Sequence, residues 1–515
     1  MANPAGRPPF APADLSTVFA HEATRTLTFR DWEAQANRLA AALAGRGVRR
    51  GDAVAVRVHT RLEWLVINLA IAKLGAIQVA VNYRLTGTEV RPILLDCGVR
   101  ALVLDDKDPS ALLTAITDLH LLVVVSLGGA TPDTTAYPDM IASGDPAHRP
   151  ADDLAQIIIY SSGTTGAPKG IPMTRTSGSP RVMAEYLASV GFGGAIGHAG
   201  SRTLVNLPMH HAVGPAFTRL ALVTGGQLFL RRHFEAEQTL ALIEQHRITH
   251  WNAVPTMLRR ILNLPAEVRA RYDTSSLEFL QIGGAPAGSE FKKRVRGLFG
   301  ENCLYESYGC SEAGMIAGGT PAEQRAKPGT VGHAYTHVSI RILDDDGREL
   351  PAGQTGEITV RTPNMITGYI GQEPFGPDKL DPDGYYHTAD IGYLDQDGYL
   401  FINDRRSDMI IAGSANIYPS EIEQVLTQHP AVAIAGVIGV PHTDLGEQPE
   451  AYVELVDGAS VSQDELIAFC EGRLAKYKWP RHVHILDEVP VNTAGKIVKH
   501  DLRTRWRQEQ GVQAS

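Results

Sequence analysis

The hydrophobic and polar positions at the start of the chain alternate between a helical period and a strand period. Apolar side chains recur at helical spacing from Trp32 to Leu43, with Asp31 before them and Gly45 after them, which predicts a helix. The pattern then predicts, in chain order, the strand Ala53–Val58, the helix Leu62–Leu74 closed by Gly75, the strand Ile77–Val81, the helix Thr88–Cys97, the strand Ala101–Leu104, the helix Ser110–Thr117 and the strand Leu121–Val125.

A second series of alternating elements lies between residues 220 and 300. The elements predicted there are Gln227–Leu230, Glu237–His246, Thr249–Ala253 and Leu277–Ile282. Repeated strand–helix–strand units imply an α/β fold in which mostly parallel sheets are flanked by helices on both faces. Ligands in such folds bind at the carboxyl ends of the strands. Because 515 residues exceed what one hydrophobic core supports, we expect at least two domains.

Composition and charge narrow the class of protein. Hydrophobic residues make up 43% of the chain and charged residues 20%, as in ordinary globular proteins. The net charge of −9 argues against a nucleic acid or an anionic membrane as the main partner. No apolar signal region or membrane-length apolar run occurs, so we expect a cytoplasmic protein without a membrane span. The four cysteines form no C-x-x-C pair, which fits a reducing compartment: Cys97, Cys303, Cys310 and Cys470.

The stretch Tyr160–Gly170 (Y-S-S-G-T-T-G-A-P-K-G) follows the apolar run Ile157–Ile159, which predicts a buried strand that ends in a loop. Hydroxyl groups, glycine amides and one lysine are suited to holding a polyphosphate, and the stretch supplies Ser161, Ser162, Gly163, Thr164, Thr165, Gly166, Lys169 and Gly170. The order differs from the G-x-x-x-x-G-K-[ST] loop. For these residues alone, a flexible surface loop is the simpler alternative.

This stretch resembles the phosphate-binding signature of the adenylate-forming (ANL) superfamily. That superfamily includes acyl-CoA synthetases, the adenylation domains of peptide synthetases, and luciferases. The resemblance implies that ATP binds through the residues from Ser161 to Gly166 and through Lys169, and that Thr165 also has a catalytic role.

The segment Leu207–Gly214 contains two adjacent histidines. On an extended backbone they would point to opposite faces, so taken alone His210 and His211 suggest one hydrogen-bonded core histidine and one surface histidine. The segment also resembles the part of the superfamily that lines the acyl pocket. This implies a catalytic, substrate-binding role for His211 beside the carboxylate. The further pocket residues implied are Ala212, Val213, Gly214, Gly283 and Gly284.

Two later motifs resemble the adenine-binding and metal-binding parts of the superfamily. In Gly283–Pro286 the glycines let a flat ring lie against the backbone, and the resemblance implies that Gly284, Ala285 and Pro286 contact adenine; a tight turn is the alternative. The run Tyr308–Glu312 (Y-G-C-S-E) matches the Y-G-x-[ST]-E motif. Its implied roles are stacking on the purine by Tyr308 beside Gly309, donation to a phosphate by Ser311, and catalysis and Mg²⁺ binding by Glu312.

The run Tyr386–Gly392 resembles the Y-x-T-G-D motif of the superfamily, with Ala389 in place of the usual glycine. The resemblance implies that Asp390 accepts hydrogen bonds from both ribose hydroxyls, a role that suits an ionised carboxylate. It also implies that Arg405 contacts the ribose.

The following segment resembles the superfamily's hinge, which implies a hinge at Arg406 and Ser407. The expected domains are therefore residues 1–404, which bind ATP and the acid, and a small mobile α+β domain of residues 405–515. Gly413 matches the turn that lines the CoA tunnel, but the usual second glycine is Ser414. In register with the superfamily, Lys496 is the mobile catalytic lysine of the small domain.

Together the motifs imply an ATP-dependent acid–CoA ligase with ATP, Mg²⁺ and coenzyme A as cofactors. Small pocket residues and the lack of a second charge there favour a bulky hydrophobic acid that is aromatic, polycyclic or long-chain. An adenylating enzyme that transfers the acyl group to a carrier protein or partner enzyme is an alternative, which Ser414 favours modestly. A non-catalytic acyl-adenylate or acyl-CoA binder is a third reading. Whether the protein is a homodimer is left open.

Overall fold

A computed structural model of the chain describes residues 10–151, 153–162, 168–173, 179–285, 287–412, 415–443, 445–492 and 495–510. Local sequence signals begin and end its first helices. The Thr28 hydroxyl accepts a hydrogen bond from the backbone N–H of Asp31 at 3.0 Å and so caps α1 (Phe29–Gly45). Helix α2 (Leu62–Leu74) has the predicted bounds and ends at Gly75, whose φ of 65° is the left-handed conformation that glycine adopts most easily.

The elements of the first part of the chain follow the predicted alternation. They are β1 (Val18–Glu22), β2 (Arg25–Thr28), α1, β3 (Ala53–Arg57), α2, β4 (Ile77–Ala80), α3 (Gly87–Asp96), β5 (Val99–Leu104), α4 (Ser110–Ala115), β6 (Val123–Ser126), β7 (Thr135–Ala136), α5 (Tyr137–Ser143), β8 (Gln156–Ser162) and β9 (Pro168–Pro172).

The middle of the chain continues the same alternation and then becomes strand-rich. Its elements are α6 (Pro180–Val190), β10 (Arg202–Val205), α7 (Val213–Val223), β11 (Gln227–Leu230), α8 (Ala236–His246), β12 (His250–Ala253), α9 (Pro255–Leu262), α10 (Ala266–Arg269), β13 (Phe279–Gly283), α11 (Ser289–Phe299), β14 (Leu304–Cys310), β15 (Gly314–Gly319), α12 (Pro321–Ala326), β16 (His333–Ala334), β17 (Ser339–Leu343), β18 (Gly356–Arg361), β19 (Tyr386–Leu394) and β20 (Leu400–Arg405).

A small α+β unit follows β20. Its elements are β21 (Ile410–Ala412), β22 (Ala415–Ile417), α13 (Pro419–Leu426), β23 (Val432–His442), β24 (Gly446–Leu455), α14 (Gln463–Cys470), β25 (Val483–Leu486) and α15 (Lys499–Glu509).

Within the ranges given above, the strands form four sheets. A seven-stranded sheet has the order β7-β6-β5-β3-β4-β8-β9 and is parallel except for the β8–β9 pair. A nine-stranded sheet has the order β16-β15-β14-β13-β12-β10-β11-β1-β2 and is parallel from β14 to β1. Strands β17 to β20 form an antiparallel sheet, and the small unit has a five-stranded sheet centred on β24. The expectation of a large α/β part with mostly parallel sheets and a smaller C-terminal α+β part is confirmed.

The largest hydrophobic core lies between the two long sheets. It combines side chains of β3 and β11, such as Val54 and Leu228, with the buried faces of α1 and α2, such as Trp32 and Trp64. The small unit has a separate core around Val437. Among the described residues, no helix is both long enough and apolar enough to cross a bilayer.

Candidate active site

The predicted phosphate-binding stretch, Tyr160–Gly170, includes the paired ends of strands β8 and β9 at the edge of the seven-stranded sheet. Strand β8 extends to Ser162, and Ser161 pairs with Lys169 of β9. The expectation that Ser161 and Ser162 belong to the loop is therefore wrong, because antiparallel pairing with β9 prolongs the strand. The side chains of these serines, and all of Gly163, Thr164, Thr165 and Gly166, lie outside the described residues.

Lys169 and Glu312 are brought together by a residue that the motifs did not single out, Tyr369. The Tyr369 hydroxyl donates a hydrogen bond to Glu312 Oε1 at 3.0 Å, and the ammonium nitrogen of Lys169 lies 5.0 Å from the centroid of the same ring. An ammonium group at this distance is attracted by the ring's electron-rich face. Lys169 and Glu312 are far apart in sequence, but both contact the side chain of Tyr369.

Asp390 is buried and is held between Tyr308 and Arg405. Tyr308 donates a hydrogen bond from its hydroxyl to Asp390 Oδ2 at 2.6 Å, and Arg405 Nε lies 3.2 Å from Asp390 Oδ1. Register explains the second contact, because Asp390 in β19 is paired with Arg405 in β20. Burial raises the pKa of Asp390, and the charge of Arg405 and the Tyr308 hydrogen bond oppose that rise.

Lys496 reaches into the same cleft from the small unit. It follows a tight turn in which Asn492 Oδ1 accepts a hydrogen bond from the Lys496 N–H at 3.0 Å. The side chain passes Gly284, where an added Cβ would lie 3.6 Å from Lys496 Cε. Burial, and then the positive charge of Arg405, lower the pKa of Lys496, whereas the nearby Asp390 and Glu312 act to raise it.

His210 and His211 lie in a turn that precedes α7, so the extended backbone assumed for them is wrong. The Pro208 carbonyl accepts a hydrogen bond from the His211 N–H at 3.3 Å, and the two rings are 4.6 Å apart. Burial lowers the pKa of His211 to about 4, and the charge of Lys496 contributes. His210 is buried, and burial lowers its pKa to about 2. His211 therefore faces the Lys496 cleft as a neutral imidazole at neutral pH.

A narrow crevice without room for a water molecule adjoins this turn and is lined by Leu204, Val205, Asn206, Leu207, Val213, Gly214, Phe217 and Asn252. Of the predicted pocket residues it includes Val213 and Gly214 but not Ala212, Gly283 or Gly284. Its lining carries no charged side chain. Asn206 accepts a hydrogen bond from Trp251 Nε1 at 3.1 Å, and Asn252 donates one to Gln281 at 2.7 Å, so two carboxamides border an otherwise apolar space.

The predicted adenine segment follows β13. An added Cβ at Gly283 would lie 2.7 Å from the Ser307 carbonyl oxygen, and Gly284 has a φ of 79°. The close approach at Gly283 and the left-handed conformation at Gly284 therefore both favour glycine, whether or not a ligand binds there. Ala285 is partly exposed beside them, and Pro286 lies outside the described residues.

In the metal motif, Gly309 permits a close approach to β15: a Cβ there would lie 2.3 Å from the Gly314 carbonyl oxygen. Ser311 and Glu312 occupy the turn between β14 and β15. Through this turn Glu312 reaches Tyr369.

At the expected hinge, Arg406 contacts the large part of the chain. Arg406 forms ion pairs with Glu357, at 3.2 Å, and with Asp345. Glu357 also accepts a hydrogen bond from the Ala389 N–H at 3.2 Å. The carbonyl of Ser407 lies 3.5 Å from Arg503 of α15. The hinge role and the boundary at residues 404 and 405 remain predictions, and Gly413 and Ser414 lie outside the described residues.

Within the described part of the chain, another cluster of metal-ligating side chains, His198, His250 and Glu278, has ligand atoms within 4.8 Å of one another. Its imidazole nitrogens already have hydrogen-bond partners, which include Glu278 at 2.9 Å and the Ala195 carbonyl at 3.1 Å. We therefore interpret this cluster as a polar network that ties β12 to the loop preceding β10.

Sequence reasoning missed Tyr369, Glu357 and the two pocket asparagines. None of them belongs to a sequence motif that indicates a catalytic or binding role. Each can be recognised as part of the site only because the fold places it beside a motif residue. The one available signal was that Tyr369 directly follows a Thr-Gly pair in a loop, which is too common to be diagnostic.

Comparison with known proteins identifies the family. The family model described as AMP-binding enzyme matches residues 10–370, and the one described as AMP-binding enzyme C-terminal domain matches residues 421–496. The chain belongs to this AMP-binding enzyme family, and the resemblance to the adenylate-forming superfamily is confirmed.

Its relatives are acid ligases. Fatty acid–[acyl-carrier-protein] ligase ScoC of Streptomyces coeruleorubidus is 34% identical over 499 residues, 94% of this chain and 92% of the relative. Feruloyl-CoA synthase of an Amycolatopsis species is 34% identical over 505 residues, 95% of this chain and 96% of the relative. The solved structure of the anthranilate CoA ligase AuaEII with anthranoyl-AMP has a TM-score of 0.86 and 25% identity, with 97% of this chain and 96% of that chain covered.

Proposed function

We propose that the protein activates an apolar carboxylic acid with ATP to an acyl adenylate, releases pyrophosphate, and transfers the acyl group to coenzyme A. The observation that carries this proposal is the convergence of motif residues from distant parts of the chain on one cleft. Lys496 lies within electrostatic reach of His211, Glu312, Asp390 and Arg405.

In the first step, a carboxylate oxygen of the acid attacks the α-phosphorus of ATP, and the bond from that phosphorus to the pyrophosphate oxygen breaks. Both reactants are anionic, so the site has to supply positive charge where negative charge accumulates. Lys496 and Lys169 are the proposed cations. Loss of one such donor typically lowers the rate on the order of a hundred- to a thousandfold.

Glu312 suits a Mg²⁺ ion because its carboxylate oxygens are the hard ligands that this ion prefers. The Tyr369 hydroxyl donates to Glu312 Oε1 and so orients the carboxylate that would hold the ion. When bound, the ion would neutralise phosphate charge. The ribose would be held by Asp390, whose carboxylate is oriented by Tyr308 and Arg405.

The acid would lie with its carboxylate near His211 and its apolar part in the pocket beside α7. A neutral His211 can donate one hydrogen bond to the carboxylate without fixing it as an ion pair. The crevice beside α7 has no room even for a water molecule, so a bound acid has to push its lining apart. A flat aromatic ring displaces least of that lining, so among the predicted acids we favour an aromatic one. Asn206 and Asn252 favour a neutral polar substituent, such as a hydroxyl or keto group, at its far end.

In the second step, a thiol sulfur attacks the acyl carbonyl carbon and AMP leaves with the former carboxylate oxygen. Coenzyme A is the proposed acceptor because relatives such as feruloyl-CoA synthase are named for it. A carrier protein is the second candidate, favoured by the ScoC relative and by Ser414 at the expected tunnel. We propose that the small domain, residues 405–515, moves about Arg406 and Ser407 between the steps.

A pyrophosphate-exchange assay tests the proposal. The protein is incubated with ATP, Mg²⁺, labelled pyrophosphate and single acids: benzoic, hydroxycinnamic, polycyclic, long-chain, acetic and amino acids. We expect exchange with aromatic acids and little with acetate or amino acids. Thioester formation is then followed with CoA and with a phosphopantetheinylated carrier protein. Exchange with acetate or an amino acid alone would contradict the proposed acid, and no exchange with any acid would contradict adenylation.

A further inference from the structure

A short segment, residues 366–370, connects the two sides of the proposed phosphate site. Its Ile366 N–H donates a hydrogen bond to the Glu312 carbonyl at 2.9 Å, and its Ile370 N–H donates one to the Gly170 carbonyl at 2.9 Å. Gly170 follows Lys169 directly in β9. The segment thus spans the gap between the strand that carries the lysine and the turn that carries the carboxylate.

Tyr369 lies within this segment and contacts both functional side chains. Its hydroxyl donates to Glu312 Oε1 at 3.0 Å, and Lys169 Nζ lies 5.0 Å from the ring centroid. A second cation, Lys379, lies 5.5 Å from the same centroid. The ring is only 8% exposed, and Phe375 packs edge-on against it at 5.0 Å, so its position is fixed by its surroundings.

These contacts have a physical consequence for a polyphosphate. Lysine has a long flexible side chain, and fixing it in advance reduces the conformational entropy that binding would otherwise cost. The tyrosine hydroxyl orients one oxygen of Glu312, as outer-shell groups orient metal ligands. Two ammonium groups around one ring repel each other, and an anion placed between them relieves that repulsion.

We propose that Tyr369 is a positioning residue of the nucleotide site: through Glu312 it sets the affinity for the divalent cation, and through Lys169 it sets the affinity for the polyphosphate. This inference rests on the proposed function, because it assumes that a nucleotide binds between these groups. It assigns two separable tasks to the hydroxyl and to the ring.

Two variants separate the tasks. Tyr369→Phe keeps the ring and removes the hydroxyl, whereas Tyr369→Leu removes both. Calorimetry measures the affinity for ATP in the absence of a divalent cation. A titration with Mg²⁺ then gives the Mg²⁺ concentration at which half of the Mg²⁺-dependent increase in ATP affinity is reached. For Tyr369→Phe we expect this Mg²⁺ concentration to rise about tenfold, with unchanged affinity for metal-free ATP. For Tyr369→Leu we expect a further loss of about threefold in metal-free ATP affinity.

Tyr452→Phe is a matched control for loss of a phenolic oxygen. Tyr452 is buried in the small unit, and its hydroxyl has no hydrogen-bond partner among the described residues. It should bind ATP and Mg²⁺ like the wild type. Thermal unfolding shows whether each variant is folded. If Tyr369→Leu does not fold, the result for Tyr369→Phe alone tests the positioning role.

The outcomes distinguish this inference from the proposed function. A wild-type protein that binds no Mg·ATP overturns both. A wild-type protein that binds it, with a Tyr369→Phe variant of unchanged Mg²⁺ dependence, overturns only the positioning role. Equal losses with and without Mg²⁺ in Tyr369→Phe also overturn it, because a general packing defect would act in that way.

Discussion

Gly495, next to Lys496, offers a way to perturb one orientation of the small domain. An alanine Cβ at this position would lie 2.3 Å from Thr256 Oγ1 and 2.7 Å from Val254 Cγ2, both at the start of α9 in the large part of the chain. Carbon atoms do not approach so closely, so the Lys496 turn would have to move away from α9. We therefore expect Gly495→Ala to disfavour the arrangement in which Lys496 enters the cleft.

The size of the effect follows from overpacking and backbone strain. Overpacking typically costs ~1–3 kcal/mol, which corresponds to about a 5- to 150-fold loss in population of this arrangement. The residue also has a φ of 70°, which costs about 1–2 kcal/mol for alanine in any domain orientation. Gly472→Ala is the matched control, because Gly472 has a φ of 73° and no atom within 4 Å of the added Cβ.

The assay separates the two half-reactions. We expect Gly495→Ala to lose about 5- to 150-fold in pyrophosphate exchange relative to Gly472→Ala. Thioester formation from a supplied acyl adenylate should stay close to that of the control, because the role proposed for Lys496 is confined to the adenylation step. Adding Thr256→Ala should restore part of the exchange. Equal losses in both half-reactions, or no loss in either, would refute the reasoning.

Three further predictions concern single residues. Lys496→Ala should lower adenylate formation on the order of a hundred- to a thousandfold while a supplied acyl adenylate still reacts with thiol, and full adenylation by this variant would contradict its role. Ala389 has a φ of 60° and is exposed, so Ala389→Gly should raise the free energy of unfolding by up to about 1 kcal/mol. The control Ala184→Gly in α6 should instead lower it by about 1 kcal/mol. Urea unfolding measures both variants, and destabilisation by Ala389→Gly would contradict backbone strain at Ala389. The pKa of His211 is lowered from 6.5 to about 4, so its contribution to stability is present above pH 6.5 and is lost as the pH falls toward 4. Between pH 7 and pH 5 the free energy of unfolding should therefore fall by about 2 kcal/mol more in the wild type than in His211→Gln. Equal falls for the two proteins in urea unfolding would contradict the burial of His211.

Much of the fold could be predicted because local signals and tertiary structure agree. The helix Leu62–Leu74 has its predicted bounds, since an uninterrupted apolar run ends at a glycine in the left-handed conformation. The predicted strand Gln227–Leu230 is also found with the same bounds. In both elements, the long-range packing agrees with the local preference: β11 pairs in parallel with β1 and β10.

The errors arose where a structural element just downstream in the chain decides the outcome. Strand β8 continues three residues beyond Ile159, because β9 pairs with it up to Ser162. The adjacent histidines lie in a turn because α7 begins at Val213, close behind them. Neither feature has a signal in the local periodicity.

The candidate site was predictable as a set of motifs but not as a geometry. The sequence order of Asp390 and Lys496 does not show that they lie within electrostatic reach of each other. The role of Tyr369 could not be predicted from the sequence, because it depends on Glu312 and Lys169, which lie 57 and 200 positions away along the chain. Such residues become recognisable only after the fold has placed the motifs.

The central claim, that the acid's own oxygen attacks the α-phosphorus of ATP, is tested most directly by isotope transfer. The acid that supports the strongest pyrophosphate exchange is prepared with ¹⁸O in both carboxylate oxygens and turned over with ATP, Mg²⁺ and CoA, and the AMP is analysed by mass spectrometry. Adenylation predicts that each AMP contains one ¹⁸O atom. Unlabelled AMP, or ADP together with labelled inorganic phosphate, would contradict the account.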